Sequence, residues 1–256
     1  MLGALALVAV GLVVANPDGS AEGIVLSRDI TLPAAGPLGP VTVVGDSVLL
    51  GSALWSPTLP DQLQASGWGP IRFRATVGGQ AGPIRGTTSA GSWIETWRQQ
   101  GWDAPNVIVN LGANDSGICR TDVACSRRRI LDLVEVIGPG HRIWWPMITR
   151  NPTSTAEAVA WNTALGQIAA ERDDFFTWDW PTEMAVGGYA SPDNTHLDAA
   201  GYRRRSLRMA AEFTGDLARA TRVGGDAELP LPAASASTYV ALAPTRVVDT
   251  RHDPLG

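Results

Sequence analysis

Val41-Thr42-Val43-Val44-Gly45-Asp46-Ser47-Val48-Leu49-Leu50-Gly51-Ser52 is the stretch from which the rest of the chain is read. β-Branched residues run straight into Gly-Asp-Ser, and an apolar segment follows. Such a run reads as a strand buried on both faces that breaks at Gly45 and passes into a helix. Ser47 then stands at the carboxyl end of a strand, where open α/β sheets place their ligands. Its backbone N–H falls in the first turn of the helix, facing any negative charge that develops beside it. The same residues also suit a plain helix cap, since Asp and Ser are favoured there.

Working outward, apolar segments of strand length alternate with segments of helical period. Strands are expected over residues 71–77, 106–111, 141–146 and 175–180. Helical pieces follow over 49–55 and 61–67, then from Ser92 with Glu95 as a capping box, over 126–137, over 156–172, and from 197 to about 222 with a break near Gly215. Regular alternation of this kind predicts a parallel, doubly wound α/β sheet in three layers. The sheet is expected to begin at Val41, with residues 23–40 as a linker.

The ends read differently. Residues 2–14 are almost continuously apolar, too short for a span of roughly 20 residues but suited to a signal-peptide core. Residues 1–22 are therefore expected to be a leader, and a buried N-terminal strand is the competing reading. A second linker is expected over 223–237 after a folded α/β unit at 41–222. Residues 238–256 resemble the start of a repeat found C-terminal to catalytic domains of secreted bacterial proteins, which points to a truncated module.

Composition narrows the function classes. The chain has 256 residues, 45% of them hydrophobic, and a formal charge of −5. The acidic balance argues against nucleic acid as a partner. All cationic residues are Arg. Cys119 and Cys125 are the only cysteines and stand six apart, so a local disulfide is expected rather than a metal site, which needs more ligands. Leader and disulfide agree on a secreted or cell-surface protein, expected to be a monomer with no stable membrane span once the leader is removed.

Three further places fall at strand ends or just ahead of a helix: Gly78-Gly79, Gly112-Ala113-Asn114-Asp115, and Asp193-Asn194-Thr195-His196. A hydroxyl nucleophile needs a base, and histidine titrates near neutrality. A carboxylate three residues before that histidine can hold its other ring nitrogen. Ser47 N–H, Gly78 N–H and the Asn114 amide are the donors available to an oxyanion.

These blocks, in this order, resemble those of the SGNH (GDSL) hydrolases over about residues 41–205. The resemblance implies a flavodoxin-like three-layer fold, Ser47 as nucleophile, His196 as base, Asp193 as its orienting acid, and Ser47, Gly78 and Asn114 as the oxyanion hole. It implies no metal and no cofactor. Within that family, Gly45-Asp46-Ser47-Val48-Leu49-Leu50-Gly51, Val77-Gly78-Gly79-Gln80, Trp178-Asp179-Trp180 and His196-Leu197 with Gly201-Tyr202 look like the extracellular domain of peptidoglycan O-acetyltransferases. A serine esterase acting on a small ester or an acylated cell-envelope glycan is therefore expected. The alternatives are an O-acyltransferase, or a catalytically silent carbohydrate-binding or surface protein.

Other chemistry-bearing residues read as structural. His141 enters a strand, and Asp46 and Asp115 brace turns. Trp55, Trp93 and Trp97 suit packing better than a sugar groove. Arg127-Arg128-Arg129 and Arg203-Arg204-Arg205 read as solvated faces.

Overall fold

The computed structural model describes residues 26–82 and 89–223, with 217–223 as backbone. The expected leader and C-terminal module lie outside the described residues. Six strands form one sheet: β1 (Ser27–Leu32), β2 (Gly39–Gly45), β3 (Trp68–Thr76), β4 (Asn106–Asn110), β5 (Arg142–Trp144) and β6 (Phe175–Phe176), in the order β1-β3-β2-β4-β5-β6. All neighbours from β3 to β6 pair in parallel. The parallel strands thus reverse their winding direction between β2 and β4. Such a switch point opens a crevice beyond the strand ends.

Two corrections concern the sheet. Residues 27–32, expected within a linker, form an edge strand antiparallel to β3, with Ile30 opposite Phe73. The cause is a short alternation in which Ile30 and Leu32 face inward while Arg28, Asp29 and Thr31 stay outside or at the rim. The last strand is also shorter than expected. Asp179 turns the chain by accepting from Thr182 N–H at 3.1 Å, and Trp180 opens a helix with Pro181 in its first turn.

The helices are α1 (Ser47–Gly51), α2 (Leu59–Ala65), α3 (Ala90–Gln99), α4 (Ala113–Cys119), α5 (Val123–Ile137), α6 (Thr155–Glu171), α7 (Trp180–Val186) and α8 (Ala199–Val223). Ser89, not Ser92, caps α3, because Ser92 N–H reaches back to Ser89 Oγ at 3.4 Å. Helix α8 runs through Gly215 unbroken.

Alternation along β2 divides the core. Val41 and Val43 pack under α1, α2 and α8 with Leu49, Leu63, Tyr202 and Phe213. Val44 packs on the other face with residues of α3, α5 and α6, among them Trp97, Leu133 and Trp161. The three layers expected from the sequence are present, with one antiparallel edge added.

Candidate active site

Ser47 is the first residue of α1. Asp46 caps that helix by accepting from Val48 N–H at 2.9 Å, and Asp46 N–H is itself held by Asn110 carbonyl at 3.1 Å. The serine therefore sits where β2 and β4 part. The first N–H groups of a helix have no intrahelical partner, so Ser47 N–H points outward from this corner.

His196 comes from the loop ahead of α8. Its Nε2 lies 2.9 Å from Ser47 Oγ, and its Nδ1 lies 2.7 Å from Asp193 Oδ2. The loop is built around that carboxylate. Asp193 Oδ1 accepts from Thr195 N–H at 2.9 Å and from His196 N–H at 2.7 Å. Burial by itself would raise the Asp193 pKa, but the His196 and Thr195 hydrogen bonds outweigh it and hold the carboxyl below its ordinary range. Asn194, between them, takes the left-handed conformation (φ 56°) that asparagine tolerates, and its amide donates to Arg150 carbonyl at 2.8 Å.

Gly78 and Asn114 meet at the same edge. Gly79 N–H closes a turn onto Thr76 carbonyl at 3.1 Å, and Gly78 within it has φ +76°, a conformation that favours glycine. Gly79 does a separate task. A Cβ there would stand 2.8 Å from Gly45 carbonyl and 3.1 Å from Asp46 Cα, so only glycine lets this loop touch the serine corner. Asn114 Nδ2 donates to Gly79 carbonyl at 2.9 Å. A side-chain amide carries two hydrogens, and this bond uses one of them.

Asp46 is fully buried. Burial pushes its carboxyl up to about 6, against the opposing pull of Val48 N–H, His196 and Arg205. Asp115, also fully buried, accepts from Ala81 and Gly82 N–H at 3.1–3.2 Å and from Arg129 Nε at 2.8 Å. It anchors the loop that carries Gly78. The disulfide joins Cys119 at the end of α4 to Cys125 in α5, so α4 is tied at its far end as well.

Three arginines at this site escape the reading of sequence alone. Arg150 donates to Ala113 carbonyl and to Ser116 Oγ, linking α4 to the His196 loop through its own carbonyl. Arg129 and Arg205 belong to runs expected to be solvated. Each corrects that expectation, Arg129 by its bond to Asp115 and Arg205 by being 1% exposed. Helical period held the signal: Arg205 lies three residues after buried Tyr202, and Arg129 three after buried Ser126. Arg203 and Arg204 are exposed. His141 bonds Asp103 at 3.1 Å, and Trp93 and Trp97 are buried. Trp55 is partly buried against the core.

A cleft of about 320 Å³ opens beside the His196 loop, with Ile148, Val159, Met184, Ser191 and Asn194 in its walls. Among the described residues no cluster of side chains suited to a metal ion occurs, and no helix is long and apolar enough to cross a membrane.

A sequence model described as the GDSL-like lipase/acylhydrolase family matches residues 43–204. No curated protein matches the sequence. Among solved structures, a member of the lipolytic protein G-D-S-L family from Veillonella parvula is similar with a TM-score of 0.54 at 17% identity, over 68% of this chain and 97% of that one. A carbohydrate acetylesterase family member from Sinorhizobium meliloti gives a TM-score of 0.52 at 16% identity, over 69% and 99%. The C-terminal catalytic domain of Streptococcus pneumoniae peptidoglycan O-acetyltransferase A gives 0.49 at 14% identity, over 75% and 94%.

Proposed function

The chain belongs to the GDSL-like lipase/acylhydrolase family, and from that premise we propose that it is an extracytoplasmic serine esterase that removes small acyl groups from an acylated cell-envelope glycan or a related ester. The observation that carries the reading is the unbroken line Ser47 Oγ, His196 Nε2, His196 Nδ1, Asp193 Oδ2, with contacts of 2.9 and 2.7 Å. The acetyl-like group and the glycan rest on the motif resemblance set out above. The extracytoplasmic address rests on the disulfide and on the apolar sequence of residues 2–14.

In this mechanism Ser47 Oγ attacks the ester carbonyl as its proton passes to His196 Nε2. Asp193 keeps the other ring proton on Nδ1 and stabilises the imidazolium that forms. The carbonyl oxygen becomes an oxyanion held by Ser47 N–H, Gly78 N–H and the second hydrogen of Asn114. One such donor is worth roughly 2.7–4 kcal/mol in the transition state. The C–O bond to the alcohol then breaks, and His196 gives its proton to the departing oxygen. Water attacks the acyl-enzyme by the same route in reverse, releasing the acid and restoring Ser47. Ser191 and Asn194 of the His196 loop line the adjacent cleft, which supports placing the remainder of the substrate there. A glycan hydroxyl in place of that water would make the reaction a transfer.

The test is release of p-nitrophenol from p-nitrophenyl acetate by the full chain beside Ser47→Ala of equal folding. Turnover by the first alone supports the nucleophile. Equal behaviour of the two proteins overturns the assignment and leaves a silent binding protein as the better reading. Mass analysis of products with an added glycan acceptor separates hydrolysis from transfer.

A further inference from the structure

Arg205 takes no part in the steps above, yet it is the most thoroughly buried cation at the site, 1% exposed on α8. One nitrogen, Nη2, meets Asn110 Oδ1 at 2.5 Å, and Nη1 meets Ser52 Oγ at 3.3 Å. Its guanidinium carbon lies 4.8 Å above the ring of Trp180, while Nε has no hydrogen-bond partner. A cation held dry in this way is costly unless it is paired and fully hydrogen-bonded, and here one nitrogen is left without a partner.

Those partners belong to the segments that carry the reacting groups. Asn110 ends β4, and its carbonyl holds Asp46 N–H immediately before Ser47. Ser52 closes α1, and its carbonyl accepts from Ser206 Oγ, the neighbour of Arg205, at 3.3 Å. Helix α8 itself starts three residues after His196. The short serine helix is therefore gripped at both ends, and the histidine's helix supplies the grip. Tyr202 packs so closely under α1 that a Cβ on Gly51 would fall 2.1 Å from its ring, which brings the two helices into direct contact beside Arg205.

Building on the esterase reading, we propose that Arg205 is a positioning residue: its guanidinium locks α1 to α8 and so sets the approach of Ser47 Oγ to His196 Nε2. The same cation faces Asp46 across a small cavity lined by both residues with Asn110 and Trp180. The charged and titratable groups around Asp46 are His196, Asp115 and Arg205. Those around Arg205 are Tyr202, Asp46 and Tyr189. Removing the guanidinium charge leaves Asp46 easier to protonate, and the imidazolium formed at His196 then loses a nearby carboxylate at mildly acidic pH.

The experiment compares Arg205→Met and Arg205→Lys with the unaltered full chain on p-nitrophenyl acetate from pH 6 to 9. Ser47→Ala runs in parallel, and folding is checked by circular dichroism. Misplacing reacting atoms by about 1 Å costs on the order of 100-fold. The methionine variant is expected to lose roughly that in kcat at pH 6.5, and less at pH 8.5, with KM within about twofold. Lysine keeps the charge but not the two-pronged hold. It is expected to lose about tenfold at every pH, with the acid limb unmoved.

Wild-type kcat in a folded Arg205→Met overturns the proposal, as does an equal loss in both variants with no movement of the pH profile. Should the methionine variant fail to fold, the lysine variant decides alone, and wild-type kcat there overturns the proposal. Turnover that survives Ser47→Ala overturns the reading beneath it, whereas its abolition beside a fully active Arg205→Met overturns the positioning role only.

Discussion

Asp115 Oδ1 and Arg129 Nε stand 2.8 Å apart, the carboxylate fully buried and the arginine side chain 14% exposed. The pair links α5 to α4, one residue beyond Asn114. Through Ala81 and Gly82 N–H it also fixes the loop that presents Gly78. Arg129 Nη2 reaches Gln80 Oε1 at 3.0 Å, so one cation braces the segments of two of the three candidate oxyanion donors, Gly78 and Asn114. Removing it strands a buried charge, which costs about 3–5 kcal/mol. Arg129→Ala is expected to lose that much stability by urea unfolding. Its kcat is expected to fall at least tenfold under conditions where it stays folded. A midpoint unchanged from the parent protein contradicts the bracing role.

Asp193→Asn tests the orienting acid. The amide matches the carboxylate in size but can present its NH2 to His196 Nδ1, which favours the wrong tautomer. Loss of kcat on the order of 10⁴-fold is expected, with KM little changed. The hydrogen bonds hold Asp193 below its ordinary range, so its stabilising effect is present above the unfolded value. That effect is lost as pH falls through the folded one. The asparagine protein should therefore show a shallower decline in stability below about pH 4. An activity within tenfold of the parent would remove Asp193 from the mechanism.

Strand β2 and the order of the blocks were readable because each signal is local. A β-branched run that ends at glycine stops at a strand end whatever surrounds it, and Asp193 reaches His196 within one turn of loop. The antiparallel edge was not readable in the same way. Ser27–Leu32 offers only Ile30 and Leu32 to the core, and pairing with β3 rather than local pattern makes it a strand. The inward arginines are hidden in the sequence because a run of three looks solvated until helical period is applied to it. That period turns Arg205 inward and leaves Arg203 and Arg204 outside. The block with Asn114 is expected at a strand end, yet Asn114 is the second residue of α4, a helix too short to show a periodic pattern.

The Cys119–Cys125 bridge closes a loop of about seven residues, for which chain entropy gives about 2 kcal/mol. It joins α4, which begins with Ala113-Asn114-Asp115, to α5, which carries Arg129. Cys119→Ser with Cys125→Ser is expected to lose about that much stability in urea. Dithiothreitol should bring the parent protein to the same midpoint. A parent midpoint indifferent to reductant shows that the bridge contributes nothing to the folded state.

Asp46→Asn separates stability from function at the serine corner. The folded protein raises the Asp46 carboxyl from 3.8 to about 6, chiefly by burial. A group that binds its proton more tightly when folded makes stability fall as pH rises across that window, and the deficit persists above it. That rise corresponds to about 3 kcal/mol at neutral pH. Asparagine still offers an oxygen to Val48 N–H, so α1 keeps its cap while the buried charge disappears. The variant is expected to be more stable than the parent at pH 8 by up to about 3 kcal/mol, and to match it near pH 4. Its activity should fall, because His196 then forms its imidazolium without the Asp46 charge beside it. Equal stability of parent and variant across pH 4–8 would show that Asp46 ionises in the folded state at no cost, and the burial argument for this corner would have to be abandoned.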